Sequence, residues 1–146
     1  MKVKAVIFDI SSPKLLNGGG NSLRWFHERG SYSDGAFKPI VTIVVCNRSQ
    51  QNEFKELSVP PTAIHSNLEE TTQYLEQLGI LNEVIVFVSN RTDHPEFMWG
   101  RFRTVLLDPR KTIPVPFEPA RSAKYRAYDF DGLTRIVNLI EWSKEK

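Results

Sequence analysis

The stretch Met1–Ile10, MKVKAVIFDI, decides the fold of this chain. Its apolar residues form a nearly continuous run, which is typical of a strand buried on both faces of a parallel sheet. The run stops at Asp9, and strands of open α/β sheets end at the crevice where such folds bind ligands. We therefore predict a buried parallel strand that carries Asp9 at a ligand-binding edge.

Further apolar runs alternate with helical patterns along the chain. Strands are predicted at 39–45, 62–65, 83–88 and 103–107. Helices are predicted at 21–29, 49–57, 66–78 and about 130–145, with a short one beginning at Asp93. This alternation predicts an α/β fold, a three-layer, doubly wound, mainly parallel sheet of about five strands that is Rossmann-like. A flavodoxin-like fold fits the periodicity equally well, because the strand order is not readable from the sequence.

Two helices carry clear terminal signals. Ser66-Asn67-Leu68-Glu69 is a capping-box pattern, and Gly79 is typical of the position just past a helix end. The apolar face of that helix consists of Leu68, Thr71, Leu75 and Leu78. Asp129 or Asp131 is predicted to cap the last helix. Its apolar stripe consists of Leu133, Ile136, Val137 and Ile140.

The remaining connections are predicted to be loops. Residues 18–20 are three glycines without the lysine of a phosphate-binding loop, so a flexible loop is the simpler interpretation. Residues 30–38 are polar and turn-like. Ser49 or Asn47 is the predicted N-cap of the helix that follows the second strand.

Composition predicts one ordinary soluble domain of 146 residues. Its core would span about 3–108, followed by a proline-rich basic segment at 109–127 and the last helix. A net charge of +2 selects no class of partner. No apolar stretch is long enough to span a bilayer, and the first residues carry no signal-peptide pattern. With Cys46 as the single cysteine, a cytoplasmic protein without an internal disulfide is expected.

The run Lys-Ala-Val-Ile-Phe-Asp, residues 4–9, resembles the first motif of the haloacid dehalogenase-like (HAD) superfamily, which reads Asp-x-Asp-x-Thr. In that family the first aspartate is the nucleophile and the second is usually the general acid/base. The resemblance therefore implies a compact HAD-like domain without a large inserted cap, in which Asp9 is the nominal nucleophile. Ser11 stands where the second aspartate would be.

The second and third motifs of the family are substituted in this chain. The second motif ends a strand in Ser or Thr, and here Cys46 holds that place, followed by Asn47. A thiol is a much weaker hydrogen-bond donor than a hydroxyl. Cys46 is either a nucleophile or, in the simpler interpretation, a buried inert residue. The third motif supplies a lysine or arginine, and residues 56–90 contain neither, which leaves Arg48 or Arg91 as substitutes.

The fourth motif of the family holds magnesium through acidic residues after the fourth strand. Asn90 stands in the main acidic position, and Asp93 lies near the second. Magnesium prefers carboxylate oxygens. Asp9 and Asp93 are therefore the predicted ligands if magnesium is still bound, although Asp93 is equally well explained as a helix N-cap.

These substitutions predict a HAD-like domain with a degraded phosphotransfer site that serves as a non-catalytic binding or interaction module without a cofactor. Loss of the general acid alone lowers a rate by about 10²–10⁴. The candidate ligand-binding residues are Ser11, Cys46, Asn47 and Asn90. The alternative is a divergent magnesium-dependent phosphatase or hydrolase that uses Asp9 as its nucleophile.

A second alternative concerns the basic segment 101–128, in which aromatic residues lie among arginines and lysines. Such a segment can bind single-stranded nucleic acid through phosphate contacts and stacking. The favoured interpretation is a solvated loop whose aromatic rings pack on the sheet. Its prolines, together with Trp142, also leave a homodimer contact open. The three histidines and one cysteine lack zinc-ligand spacing.

Overall fold

The computed structural model describes residues 2–16, 22–91, 95, 101–108 and 125–142. The strands are β1 (Ala5–Asp9), β2 (Gly30–Ser33), β3 (Ala36–Pro39), β4 (Val41–Val45), β5 (Ala63–His65), β6 (Ile85–Ser89), β7 (Arg103–Leu107) and β8 (Tyr125–Ala127). The helices are α1 (Ser22–His27), α2 (Arg48–Lys55), α3 (Leu68–Gln77) and α4 (Phe130–Trp142). Short 3₁₀ turns occupy Pro13–Leu16 and Asn82–Val84.

The main sheet has the order β5-β4-β1-β6-β7-β8, and each of these neighbouring pairs is parallel. The mainly parallel α/β fold is therefore confirmed. The chain first builds outward from β1 through β4 to β5, then returns to the other side of β1 with β6. This is a doubly wound order with its switch point between β1 and β6, and it differs from the flavodoxin-like order.

The sheet has six strands rather than about five. The additional strand is β8, which the sequence places in the basic loop segment. With only three residues, β8 contains no apolar run long enough to predict a strand. It is held as an edge strand by parallel pairing with β7, in the register Leu106 opposite Arg126.

Helices pack on both faces of the sheet. On one face, Val6 and Phe8 belong to a buried cluster that includes Phe26 of α1 and Val137 of α4. On the other face, Ile7 joins a cluster that includes residues such as Leu75 of α3. Because both faces of β1 are covered, its sequence is apolar without alternation. No helix in the described part of the chain is long and apolar enough to cross a bilayer.

Residues 30–38 are not the simple turn that the sequence predicts. They belong to an antiparallel hairpin, β2–β3, whose turn residues Asp34 and Gly35 both have positive φ, 53° and 79°. An Asp-Gly pair is a strong hairpin signal. It is easily overlooked here because the β3 residues are all exposed and show no apolar alternation.

Helix α3 starts one residue later than the predicted capping box. The N-cap is Asn67, whose Oδ1 accepts a hydrogen bond from the Glu70 backbone N at 2.8 Å. Gly79, at φ 73°, ends the helix region as predicted. Leu78, which the sequence places on the apolar face of this helix, is the C-cap residue beyond the last helical turn and is 50% exposed.

Helix α4 closes the domain. Asp129 is its cap, since Oδ1 accepts a hydrogen bond from the Gly132 backbone N at 2.7 Å. Near its end, Glu141 accepts hydrogen bonds from the Val3 backbone N at 3.1 Å and from Arg29 Nη2 at 3.0 Å. One carboxylate thus ties α4 to the start of the central strand and to the segment after α1.

Several predicted features lie outside the described residues. They are the glycine loop at 18–20, the short helix beginning at Asp93, the proline-rich stretch through residue 124 and the last residues of the C-terminal helix.

Candidate functional site

A polar cleft lies where β1, β4 and β6 end. Two adjoining cavities of about 190 and 260 Å³ share Asp9, Val45, Cys46, Asn47 and Arg91 among their lining residues. The cleft is at the carboxyl edge of the sheet, beside the switch point between β1 and β6. Open α/β sheets bind ligands at this place because the strand-to-helix connections diverge there.

The structure brings together all five residues that the sequence selects for ligand contact. They line the smaller cavity and are Asp9, Ser11, Cys46, Asn47 and Asn90. The common cause is topological, since each lies at or just after the end of a parallel strand. The sixth predicted position, the metal ligand Asp93, lies outside the described residues.

Asp9 is held by two donors from the end of β6. Ser89 Oγ donates to Asp9 Oδ2 at 2.7 Å, and Arg91 Nε donates to the same oxygen at 3.0 Å. Ser89 is opposite Asp9 in the β1–β6 ladder and is fully buried, so its hydroxyl is fixed by the strand itself. The Arg91 backbone N also donates to Ser89 Oγ, at 3.1 Å.

In the Asp9–Arg91 pair, the aspartate side chain is mostly buried and the arginine side chain is exposed. The Asp9 side chain is 13% exposed and the Arg91 side chain is 58% exposed. A carboxylate that has lost most of its water requires compensation by a cation or by donors. Arg91 supplies that positive charge directly, while much of its guanidinium still faces the cleft and solvent.

The surroundings of Cys46 disfavour its thiolate form. Its side chain is buried, and burial raises the pKa of the thiol, with Asp9 and Glu53 adding negative charge that raises it further. A reactive cysteine needs the opposite environment, one that favours the thiolate. The interpretation of Cys46 as a packed, inert residue is therefore supported by its surroundings.

Two helices begin at the cleft. Asn47 is the N-cap of α2, which follows β4, the strand next to β1. Asn67 is the N-cap of α3, which follows β5, one strand further from β1. Asn67 caps through its side chain, whereas within the described residues Asn47 makes no side-chain cap bond. Helix N-termini carry partial positive charge. The N-termini of both helices therefore contribute partial positive charge at the cleft.

Further polar contacts fix the walls of the cleft. Ser12 Oγ donates to Glu53 Oε2 at 2.9 Å, which ties the loop after β1 to α2. Gln51 Nε2 lies 3.5 Å from the Cys46 carbonyl and 3.4 Å from Ser66 Oγ, which links the ends of β4 and β5. The loops after β1, β4 and β5 are thus all joined to α2.

The described residues do not form a magnesium site. Over the described ranges, no group of three His, Cys, Asp or Glu side chains is placed to hold a metal ion. Asp9 is the only carboxylate among the described residues that line the two cavities. The cationic Arg91, whose Nε lies 3.0 Å from Asp9 Oδ2, opposes a second positive charge at the same oxygen. Among the described residues that line the cavities, Asp9 alone could offer magnesium a carboxylate, and the second predicted ligand, Asp93, lies outside the described residues.

Some residues of the cleft are not selected by the sequence. Arg91 was named only as one of two substitutes for the missing cation. Ser89 is not among the residues that the sequence predicts for the site. Gln50, on the first turn of α2, also lines the smaller cavity. The sequence could have indicated Gln50 because it lies in the first turn of α2, the helix that follows β4, and β4 ends at the cleft.

In the described part of the basic segment, one aromatic ring, that of Phe102, packs on the sheet, whereas Tyr128 is 42% exposed. Phe102 is 5% exposed and stacks on Phe87 with ring centroids 6.3 Å apart. The guanidinium of Arg101 covers the Phe102 ring at 4.9 Å. A ring enclosed in this way is not available to stack on a base. Most of the segment, from residue 109 to 124, lies outside the described residues.

Fold and site together define an α/β domain with a small polar cleft at its topological switch point. The sequence matches no protein-family model, and comparison with curated proteins finds no relative. The functional argument therefore depends on the geometry of the cleft.

Proposed function

We propose that the chain is a HAD-like domain whose phosphotransfer site has become a non-catalytic binding site for a small polar ligand or a polar group of a partner. The resemblance of residues 4–9 to the first HAD motif and the parallel sheet with Asp9 at its switch point support the HAD-like part. The two hydrogen bonds that Asp9 accepts support the proposal that the site is not catalytic.

The observation that carries the proposal is the double use of one oxygen atom. Asp9 Oδ2 accepts hydrogen bonds from Ser89 Oγ at 2.7 Å and from Arg91 Nε at 3.0 Å. Both bonds draw electron density from the carboxylate and fix its orientation. A nucleophilic carboxylate that also shares a metal ion needs oxygens directed at the substrate and at the metal. Arg91 instead takes the place of the metal charge.

The lining of the cleft suits recognition by hydrogen bonds. Asn47, Gln50 and Asn90 provide amides that donate and accept, and Ser11 adds an exposed hydroxyl. The Asp9–Arg91 pair adds one charge of each sign, so the pair has no net charge. A ligand of mixed hydrogen-bonding character therefore fits this cleft better than a densely charged phosphate ester.

The experiment is a phosphatase assay with magnesium, run on the native protein beside Asp9→Asn. We expect no turnover, or equal turnover in both proteins from residual contamination. Arg24→Gln, at an exposed arginine on α1, controls for general effects of substitution. Turnover that disappears only in Asp9→Asn would contradict the proposal.

A second candidate is a divergent magnesium-dependent phosphatase or hydrolase with Asp9 as its nucleophile. The observation that favours it is Arg91, a cation placed within 3.0 Å of Asp9 in a chain that lacks the lysine of the third motif. An arginine there can stabilise a transferring phosphoryl group. This candidate predicts that beryllium fluoride binds with magnesium present and that Asp9→Asn abolishes the binding. Failure to bind would remove it.

A further inference from the structure

A larger cavity lies at the amino edge of the sheet, away from the Asp9 cleft. Its volume is about 320 Å³, and it is enclosed by the start of β1, the β2–β3 hairpin, the start of β4 and the end of α3. Small-molecule sites are mostly concave and apolar, with volumes from about 300 to 1,000 Å³. The cavity is at the lower end of that range, and nothing in the proposed function uses it.

The lining combines an apolar surface with two cations. Val3 and Ile40 form buried apolar parts of the wall, and Ile80 contributes from the segment after α3. Lys4 and Lys38 are the charged members of the described lining, and both are lysines. Positively charged side chains beside an apolar wall form the arrangement that an amphiphilic anion requires.

Leu78 adds a partly exposed apolar side chain to the lining of the cavity. It continues the apolar face of α3 but is 50% exposed, and it lines the cavity. A leucine side chain gains roughly 1.5–3 kcal/mol when it is fully buried. An apolar ligand in the cavity would provide the burial that the fold itself leaves incomplete.

Two glycines fix the shape of the cavity in advance. A Cβ atom at Gly30 would lie 2.0 Å from the Lys38 carbonyl oxygen, so only glycine allows β2 and β3 to approach each other this closely where they line the cavity. Gly79 has φ 73°, which turns the chain at the end of α3 and directs it to Ile80. Preformed walls reduce the ordering cost of binding.

We propose that this cavity binds a small anion with an apolar body, such as an aromatic or aliphatic carboxylate or sulfonate. The anionic group contacts Lys4 and Lys38, and the apolar body packs on Leu78 and Ile80. The proposal is independent of what binds at the Asp9 cleft.

The probe is 8-anilinonaphthalene-1-sulfonate, an aromatic sulfonate whose fluorescence rises on binding. We expect saturable binding to one site, with amide chemical-shift changes in the NMR spectrum at Gly30, Gly79 and Ile80. The double variant Lys4→Gln/Lys38→Gln should weaken binding roughly fivefold or more, since two ionic contacts are lost. The Lys4 backbone bonds to Val84 and Val41 do not depend on its side chain.

Matched controls separate the cavity from general surface effects. Lys55→Gln, on the exposed end of α2, removes a positive charge outside the cavity and should leave the affinity unchanged. Leu78→Ala should weaken binding, whereas Leu81→Ala, at a leucine 62% exposed and outside the lining, should not. Thermal melting of each variant verifies that the fold is intact.

Three results would overturn the proposal: no saturable binding, equal binding in all four variants, or shift changes that map to the Asp9 cleft. The probe and its site differ from those of the phosphatase assay, so either proposal can fail alone.

Discussion

The Asp9–Arg91 pair offers the sharpest test of the site geometry. Arg91→Gln removes the guanidinium that lies 3.0 Å from Asp9 Oδ2 and leaves a carboxylate with a side chain only 13% exposed. Exposed ion pairs contribute about 0–1 kcal/mol. Breaking a fully buried pair costs about 3–5 kcal/mol. Since Arg91 is 58% exposed, we expect a loss near the lower range, about 1 kcal/mol in the free energy of unfolding.

A double-mutant cycle isolates the pair from other effects. The four proteins are the native chain, Asp9→Asn, Arg91→Gln and the double variant, unfolded in guanidinium chloride and followed by tryptophan fluorescence. Asparagine keeps an oxygen that accepts from Ser89, so the cycle reports mainly the charge interaction. We expect a coupling free energy of about 0.5–1 kcal/mol. The exposed Arg24→Gln serves as the control and should change stability by less than about 0.5 kcal/mol.

A coupling near zero would refute the reasoning, because it would mean that Asp9 is compensated without Arg91. A native chain less stable than Asp9→Asn would also refute it, since the cleft would then hold an uncompensated carboxylate. That second result would favour the alternative in which Asp9 is kept for chemistry at the expense of stability.

Three further predictions concern other elements of the fold. Asn67→Ala should lower the free energy of unfolding by about 1 kcal/mol, because the side-chain cap of α3 is lost. Asn47→Ala should lower it clearly less, because Asn47 makes no side-chain cap bond among the described residues. Chemical denaturation measures both changes. The Cys46 thiol, whose pKa is raised by burial, should react with Ellman's reagent at neutral pH far more slowly in the folded than in the unfolded chain, and equal rates would contradict its inert role. Burial lowers the pKa of His27, so the unfolded state binds more protons and stability should fall as the pH drops below about 6.5. His27→Gln should reduce that slope in denaturation curves at several pH values, and an unchanged slope would assign it to other groups.

The parts of the fold that follow from local pattern could be predicted from the sequence. The strand at Arg103–Leu107 was predicted with its observed bounds, and the uninterrupted apolar run of β1 indicated burial on both faces. The strand order could not be predicted, because it depends on pairings such as Ala5 with Ile85 that no local pattern records. Strand β8 and the hairpin were missed since short or exposed strands show little apolar periodicity.

The candidate site divides in the same way. Residues at strand ends could be selected because parallel strands end at one edge of the sheet. The bonds from Ser89 and Arg91 to Asp9 join residues 80 and 82 positions apart in the chain. Such contacts follow from the order of β1 and β6, so they became visible only with the fold. The exposure of Leu78 also depends on the fold, because the position of the end of α3 relative to the sheet determines which residues contact Leu78.

The Glu141 carboxylate has a consequence for how the protein forms during synthesis. β1 leaves the ribosome before the other strands of the sheet, its neighbours β4 and β6 follow much later, and the segment just before it is bonded to a residue 138 positions further along. The central strand therefore stays without its full set of partners until translation has passed α4. We expect that nascent chains stopped before Glu141 remain sensitive to protease and that protection arises late, in one cooperative step. A chaperone that shields apolar segments would find the run Val3–Phe8 exposed for most of that time.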